Sequence, residues 1–294
     1  MKKCNSLILL TILMSLLLSG CRFNYHTKTD DKKDKTVDTS NQVKREIPYE
    51  KFDDCLYIWE DKENPALLRG HVKLSENVEN ESYYAEGTDI KILEKKARYL
   101  DVEGDSESKI KKTVEAEYEK YKEAFETQVR EGVEAANSLV QGGQTSINPY
   151  EFDTSWQVIR NDEKMLTIVN SLYSYAGGAH PNLVKEVISF NPIEGKKLTI
   201  ASITSNEKAF KQFVEEALNT YVIKHNCSDY LFAENGYKEA FKNWDRNWWI
   251  INGYLFVGFN TYDIAPYVAG PLVIPVDITE AWEYLNDYGK SLFM

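Results

Sequence analysis

The stretch Met165-Leu166-Thr167-Ile168-Val169-Asn170-Ser171-Leu172-Tyr173-Ser174-Tyr175, closed by Ala176-Gly177-Gly178-Ala179-His180, decides the architecture of this chain. Its β-branched and aromatic residues read as a strand, and two consecutive glycines permit the positive φ of a tight turn. Outward from it, residues 152–160 read as a preceding strand, joined through the turn formers Asn161-Asp162. Residues 183–190 read as a following strand, left through Asn191-Pro192 and Glu194-Gly195. Strands joined by such short turns predict antiparallel pairing.

Further out, Ile110, Val114, Tyr118, Tyr121, Phe125, Val129, Val133, Ala136 and Val140 recur at three- and four-residue spacing and predict one long helix ended by Gly142-Gly143. Before it, residues 55–59, 66–74 and 83–93 carry weaker strand patterns. After the central strands, Phe210, Phe213, Val214, Ala217, Leu218 and Tyr221 mark a second helix. Residues 247–251 and 254–259 flank Asn252-Gly253, which suits a type I′ hairpin. A last strand is expected over 272–276, then a helix capped by Thr279 and reaching about residue 288. The fold class is α+β, antiparallel sheets with packed helices, divided into an N-terminal α/β region with the long helix (48–145) and a C-terminal domain (146–294).

Lys2 and Lys3 precede an apolar run over 7–18, too short to span a bilayer as a stable helix. With Leu18-Ser19-Gly20-Cys21 behind it, the run reads as a signal peptide over 1–20 whose end resembles the lipobox of bacterial lipoproteins. That resemblance implies that the Cys21 thiol takes a diacylglycerol and that the freed amine is acylated; two or more acyl chains anchor a protein stably. Residues 21–47, with Asp30-Asp31-Lys32-Lys33-Asp34-Lys35 and little apolar content, are expected to be a flexible tether. The protein is thereby expected in the cell envelope, lipid-anchored on the extracytoplasmic side of a bacterial membrane.

From Pro48 onward 41 side chains are acidic and 26 basic, a net charge of −15. Such a surface disfavours nucleic acid and anionic headgroups and favours a cationic partner; it also serves solubility. Cys55 and Cys227 remain in the folded part, as a disulfide pair or as two buried thiols. His26, His71, His180 and His225 have no ligand spacing to one another or to a cysteine, so no metal and no other cofactor is expected. There is no Gly-x-Ser-x-Gly elbow, His-Glu-x-x-His pair or phosphate-binding glycine loop, and the chain is not expected to be an enzyme. Trp244, Trp248 and Trp249 would suit sugar stacking if exposed; strand alternation sends the last two to opposite faces, so one of them is expected in the core.

The order strand, Tyr173–His180 turn, strand, turn, helix, and then the Asn252-Gly253 hairpin followed by Tyr262-Asp263-Ile264-Ala265-Pro266-Tyr267-Val268-Ala269-Gly270, resembles the RsiV-like extracellular domain family. That family includes a lysozyme-sensing anti-sigma factor and the N-terminal domain of a peptidoglycan deacetylase, PdaC. The resemblance covers about residues 150–290. Only six residues precede the apolar run, and no metal-binding catalytic domain follows the resembling part, so the sensor-like domain alone is expected. The resemblance implies a non-catalytic domain that binds lysozyme or a related cell-wall hydrolase. The alternatives are a peptidoglycan- or glycan-binding lipoprotein, through the Trp244–Trp249 region, and an unrecognised cell-wall enzyme. Candidate contact residues are Gly177, Gly178 and His180 in one loop and Pro266 and Tyr267 in the other. Each also has a structural reading: a tight turn, a solvated imidazole, a shaping proline, a tyrosine capping the core.

Overall fold

The computed structural model describes residues 46–52, 55–61, 64–144 and 146–294; the expected signal peptide, Cys21 and the expected tether as far as Arg45 lie outside the described residues. Two short strands come first, β1 (Lys51–Phe52) and β2 (Leu56–Ile58). The strand expected over 66–74 is not formed. Its start is a turn of helix, α1 (Pro65–Leu68), because the Asn64 side chain accepts from the Ala66 N–H at 3.2 Å and Pro65 occupies a first-turn position where its missing N–H leaves nothing unpaired. The chain becomes extended only at β3 (Leu74–Tyr84), which forms a long antiparallel hairpin with β4 (Lys91–Val102). The single strand expected over 83–93 is therefore split, its two halves lying on either side of a turn at Gly87.

Helix α2 (Lys109–Gln141) follows, with Val114, Phe125, Val129 and Ala136 buried along one stripe. It returns the chain so that β5 (Tyr150–Asn161) pairs parallel with β4, as a crossover of this length allows. β6 (Leu166–Tyr175), β7 (Asn182–Asn191) and β8 (Lys196–Lys197) then add antiparallel, giving one six-stranded sheet in chain order. This sheet runs across residue 145, joining strands from both halves of the chain.

Helices α3 (Ile200–Ile203), α4 (Glu207–Lys224) and α5 (Glu234–Lys242) lead to β9 (Trp248–Ile251), β10 (Tyr254–Phe259) and β11 (Leu272–Val276). Asn252 and Gly253 join β9 to β10 with φ of 50° and 76°, both positive as a type I′ turn requires. The second sheet has the order β1-β2-β11-β10-β9, so the first strands of the described chain complete a sheet made mostly near its end. The expected C-terminal helix is in two pieces. A 3-10 turn spans Thr279–Tyr284 with Ile278, not Thr279, at its cap; Leu285 is extended and bridged to Thr204; α6 (Asp287–Leu292) then starts under the Asn286 side chain. The bridge fixes Leu285 outside helical geometry.

The result is an α+β fold with two mostly antiparallel sheets. α2 packs on one face of the six-stranded sheet, against Leu93, Phe152 and Trp156. α4 and α5 pack with β10 and β11 in a second core. A thin joint of Trp59, Val169, Trp249, Phe256 and Val273 connects the two sheets, with Trp59 stacked on Trp249 at 5.1 Å. Trp248 and Trp249 do face opposite ways, but both faces are covered: Trp248 and Trp244 enter the helical core and Trp249 the joint between sheets. All three indoles are buried, which removes them as a platform for sugar stacking.

Candidate functional site

The first candidate loop leaves β6 and reaches β7 through residues 176–181. Gly177 and Gly178 have φ of 82° and 108°, a conformation open to glycine and costly for other residues. The Tyr175 hydroxyl donates to the Gly178 carbonyl at 3.2 Å, and residues 176–180 are exposed. The second loop leaves β10 through Asn260, whose backbone N–H donates to Asp263 Oδ2 at 2.7 Å. Burial raises the Asp263 pKa, and that N–H opposes the shift. Ile264, Ala265 and Ala269 are buried and moor the loop, while Pro266 and Val268 face outward.

The Asn260 side chain explains why the loops lie together. Its Oδ1 accepts from the Lys185 N–H at 2.6 Å and its Nδ2 donates to the Lys185 carbonyl at 3.0 Å, fastening the start of the second loop to the strand that follows the first. At the tips, the His180 ring stacks on Tyr267 with centroids 3.8 Å apart and planes 20° off parallel. His180 Nδ1 lies 2.9 Å from the Pro181 carbonyl, which only accepts, so Nδ1 donates there, and Nε2 is hydrogen-bonded to the Tyr262 hydroxyl at 2.9 Å. Tyr262 and Tyr267 are 5.9 Å apart.

Of the candidate residues, His180 and Tyr267 are thus in direct contact, Pro266 precedes Tyr267 on the exposed side, and Gly177 and Gly178 shape the turn that presents His180. Tyr262, Asn260 and Val268 also build the site and were not singled out from sequence. Tyr262 has φ of 71°, a left-handed conformation in a bulky non-glycine residue. Such strain costs on the order of 1 kcal/mol or more and persists where the surroundings hold it. Cys55 and Cys227 lie elsewhere, buried in the helical core as free thiols hydrogen-bonded to one another; burial, then Cys55, pushes the Cys227 pKa well above the usual range. Among the described residues no group of three or more His, Cys, Asp or Glu side chains is arranged to hold a metal ion.

Residues 86–183 match the family described as deacetylase PdaC, and residues 198–279 match a protein family of unknown function, DUF3298. The two matched segments follow one another along the chain. A crystal structure of a DUF3298 family member from Bacteroides fragilis is similar with a TM-score of 0.54 and 16% identity, covering 74% of this chain and 95% of that one. A DUF3298 family protein from Pseudomonas aeruginosa gives a TM-score of 0.48 and 16% identity over 73% of this chain and 95% of that one. At such identity the Bacteroides likeness shows the fold alone. No curated protein matches the chain. The first loop up to His180 lies in the PdaC-type segment and the second loop in the DUF3298 segment, so the cluster of His180, Tyr262 and Tyr267 is assembled from both.

Proposed function

We propose that the paired loops are the contact face of a non-catalytic capture domain, held at the cell envelope through the tether and a lipid on Cys21. Its partner in this reading is a cationic protein such as lysozyme or a related cell-wall hydrolase, a ligand that comes from the RsiV-like resemblance. The observation that carries the reading is the His180–Tyr267 stack closed by Tyr262. Aromatic side chains already fixed by their neighbours lose little conformational entropy on docking and make effective interface anchors. Tyr262 is 51% exposed and Val268 81% exposed, so the cluster presents apolar surface to a partner. The net charge of −15 from Pro48 onward favours the approach of a basic protein, an effect that salt screens.

Calorimetric titration of lysozyme into the protein at low and moderate salt tests this. Binding in the micromolar range or tighter is expected, weakened at least about tenfold by Tyr267→Ala or Val268→Asp, an effect of about 1.4 kcal/mol. Absence of binding by micromolar protein at both salt concentrations would sink the proposal.

A further inference from the structure

The two sheets end in four border strands, and three of these borders are short or covered. β1 has two residues and β9 four. β8 has two, and the length of β7 beyond it is capped by side chains: Asn260 Oδ1 accepts from the Lys185 N–H at 2.6 Å and Asn247 Oδ1 from the Val187 N–H at 3.0 Å. β3 is the exception. Its 11 residues make a border about 34 Å long, and among the described residues no strand lies beyond it and no backbone group bonds to its outer edge.

Such an edge offers a row of N–H and C=O groups to any extended chain, and folded proteins commonly interrupt it with lysine, proline or a bulge. Between Ser75 and Tyr84 there is no lysine and no proline, and the pairing with β4 is regular from Leu74 to Tyr83. The strand carries instead three acidic residues, Glu76, Glu79 and Glu81, and no basic one. A second copy laid antiparallel on β3 would set these carboxylates against their equivalents, which destabilises the pair. The same charges attract a strand that carries cations.

The two sides of the edge differ. Asn77, Glu79 and Glu81 lie opposite Tyr99, Ala97 and Lys95 of β4, on the side where α2 packs. There Glu126 at 2.6 Å, Glu81 at 3.2 Å and Glu79 at 3.9 Å surround the one Lys95 ammonium. Lys122, 3.8 Å from Glu79, is the second cation, so carboxylates remain in excess, and Glu81 keeps half of its side chain in solvent. On the other side Val78 is 58% exposed and, with Pro65 and Leu68, lines a cleft of about 510 Å³. Directly opposed residues of paired strands share a face, so a side chain set against Val78 by an added strand would lie on the cleft side.

We infer that β3 is a docking edge for an extended polypeptide segment of another protein, which joins the six-stranded sheet as a further strand, with lysine or arginine side chains along the α2 side and an apolar one beside Val78. Backbone pairing supplies the binding and alternate side chains the selection. The edge is three strands away from β6, which bears the first loop, and the inference does not rest on what the paired loops bind.

Calorimetric titration of the whole protein at low salt with the peptide Thr-Lys-Val-Lys-Thr-Lys-Val-Lys-Thr, together with amide hydrogen exchange, tests it. Binding is expected with a Kd below about 100 μM, with slowed exchange within residues 75–84. The same peptide methylated at every backbone nitrogen keeps its charge but cannot donate to a ladder, and it should bind at least about tenfold more weakly. Asn77→Lys, an exposed position in the row of Glu79 and Glu81, should weaken binding about three- to fivefold, whereas Ile223→Lys, an equal change of charge at an exposed position on α4, should leave it unchanged. The inference is overturned if the peptide does not bind at about 1 mM, if the methylated peptide binds as tightly, if the two lysine variants weaken binding alike, or if protection falls on residues 176–180 and 262–270 instead of β3. A protein that is dimeric by itself with residues 75–84 already protected would also overturn it, because a second copy would then hold the edge.

Discussion

Lys185 is a cation held almost entirely inside the protein, and its pairing with Asp61 should be strongly asymmetric. Its side chain is 2% exposed, whereas that of Asp61 is 41% exposed. Lys185 Nζ donates to Asp61 Oδ1 at 2.7 Å and to the Trp59 carbonyl at 2.9 Å. Burial pulls the Lys185 pKa down, and Asp61 supports it. Asp61→Asn would leave the buried ammonium facing two neutral groups, whereas Lys185→Met would leave a carboxylate that water can reach and one unpaired carbonyl. The first should cost about 3 kcal/mol, the low end for breaking a buried pair, because water reaches the Asp61 side. The second should cost about 1–2 kcal/mol, the range for an orphaned carbonyl. For a domain of this size about 3 kcal/mol lowers Tm by roughly 6–12 °C. The pH dependence has a definite sign. Because the folded-state pKa of Lys185 lies below the ordinary 10.5, the unfolded chain binds more protons between those two values, and this residue's contribution to stability rises with pH across that window. Removing Asp61 lowers the folded value further, so the Asp61→Asn deficit should shrink on moving to alkaline pH, and Lys185→Met should abolish that rise. Urea unfolding of both variants and the double variant at neutral and alkaline pH measures all of this. A Lys185→Met cost at neutral pH equal to or above that of Asp61→Asn, or a deficit of Asp61→Asn that does not change with pH, would refute the reasoning.

Two further outcomes test the packing. A Cβ at Gly258 would sit 2.5 Å from Cζ3 of Trp59, whose ring is already stacked on Trp249, so Gly258→Ala should lower the unfolding free energy by about 1–3 kcal/mol. A change in the urea midpoint equivalent to less than about 0.5 kcal/mol would mean that the joint yields easily. Cys55 and Cys227 should resist thiol reagents in the native protein, since burial keeps Cys227 protonated, and should react once urea unfolds the chain. Refolding with a small-molecule disulfide as oxidant should bridge them, with loss of two hydrogens by mass, and raise stability by up to roughly 5 kcal/mol in the chain-entropy picture. Equal urea midpoints for oxidised and reduced protein would argue against that gain.

The parts of the fold legible in sequence are those where one local rule dominates. α2 follows from its apolar spacing, β9–β10 from Asn252-Gly253, and β6–β7 from strand propensity around two glycines. β3 resisted because Ser75-Glu76-Asn77-Val78-Glu79-Asn80-Glu81 leaves nearly every side chain partly or fully exposed at a sheet edge, with no apolar alternation to follow. β4 carries Lys95 where an apolar residue is expected; its ammonium is held by Glu81 and Glu126, the latter on α2, a partnership set by tertiary structure. The two candidate loops were visible as motifs, but their contact depends on Asn260 reaching Lys185 across 75 positions.

The pairing of β2 with β11 sets a timetable for biosynthesis. Ile58 lies opposite Leu272, roughly 210 residues further along the chain. At about 5–20 residues per second of synthesis, Leu56–Ile58 waits roughly 10–40 s for its neighbour to exist. During that interval the edge it will occupy is missing, and its backbone groups are available to other chains. Any nascent chain arrested before residue 272 therefore keeps β1 and β2 without their place in the second sheet, however complete the six-stranded sheet already is.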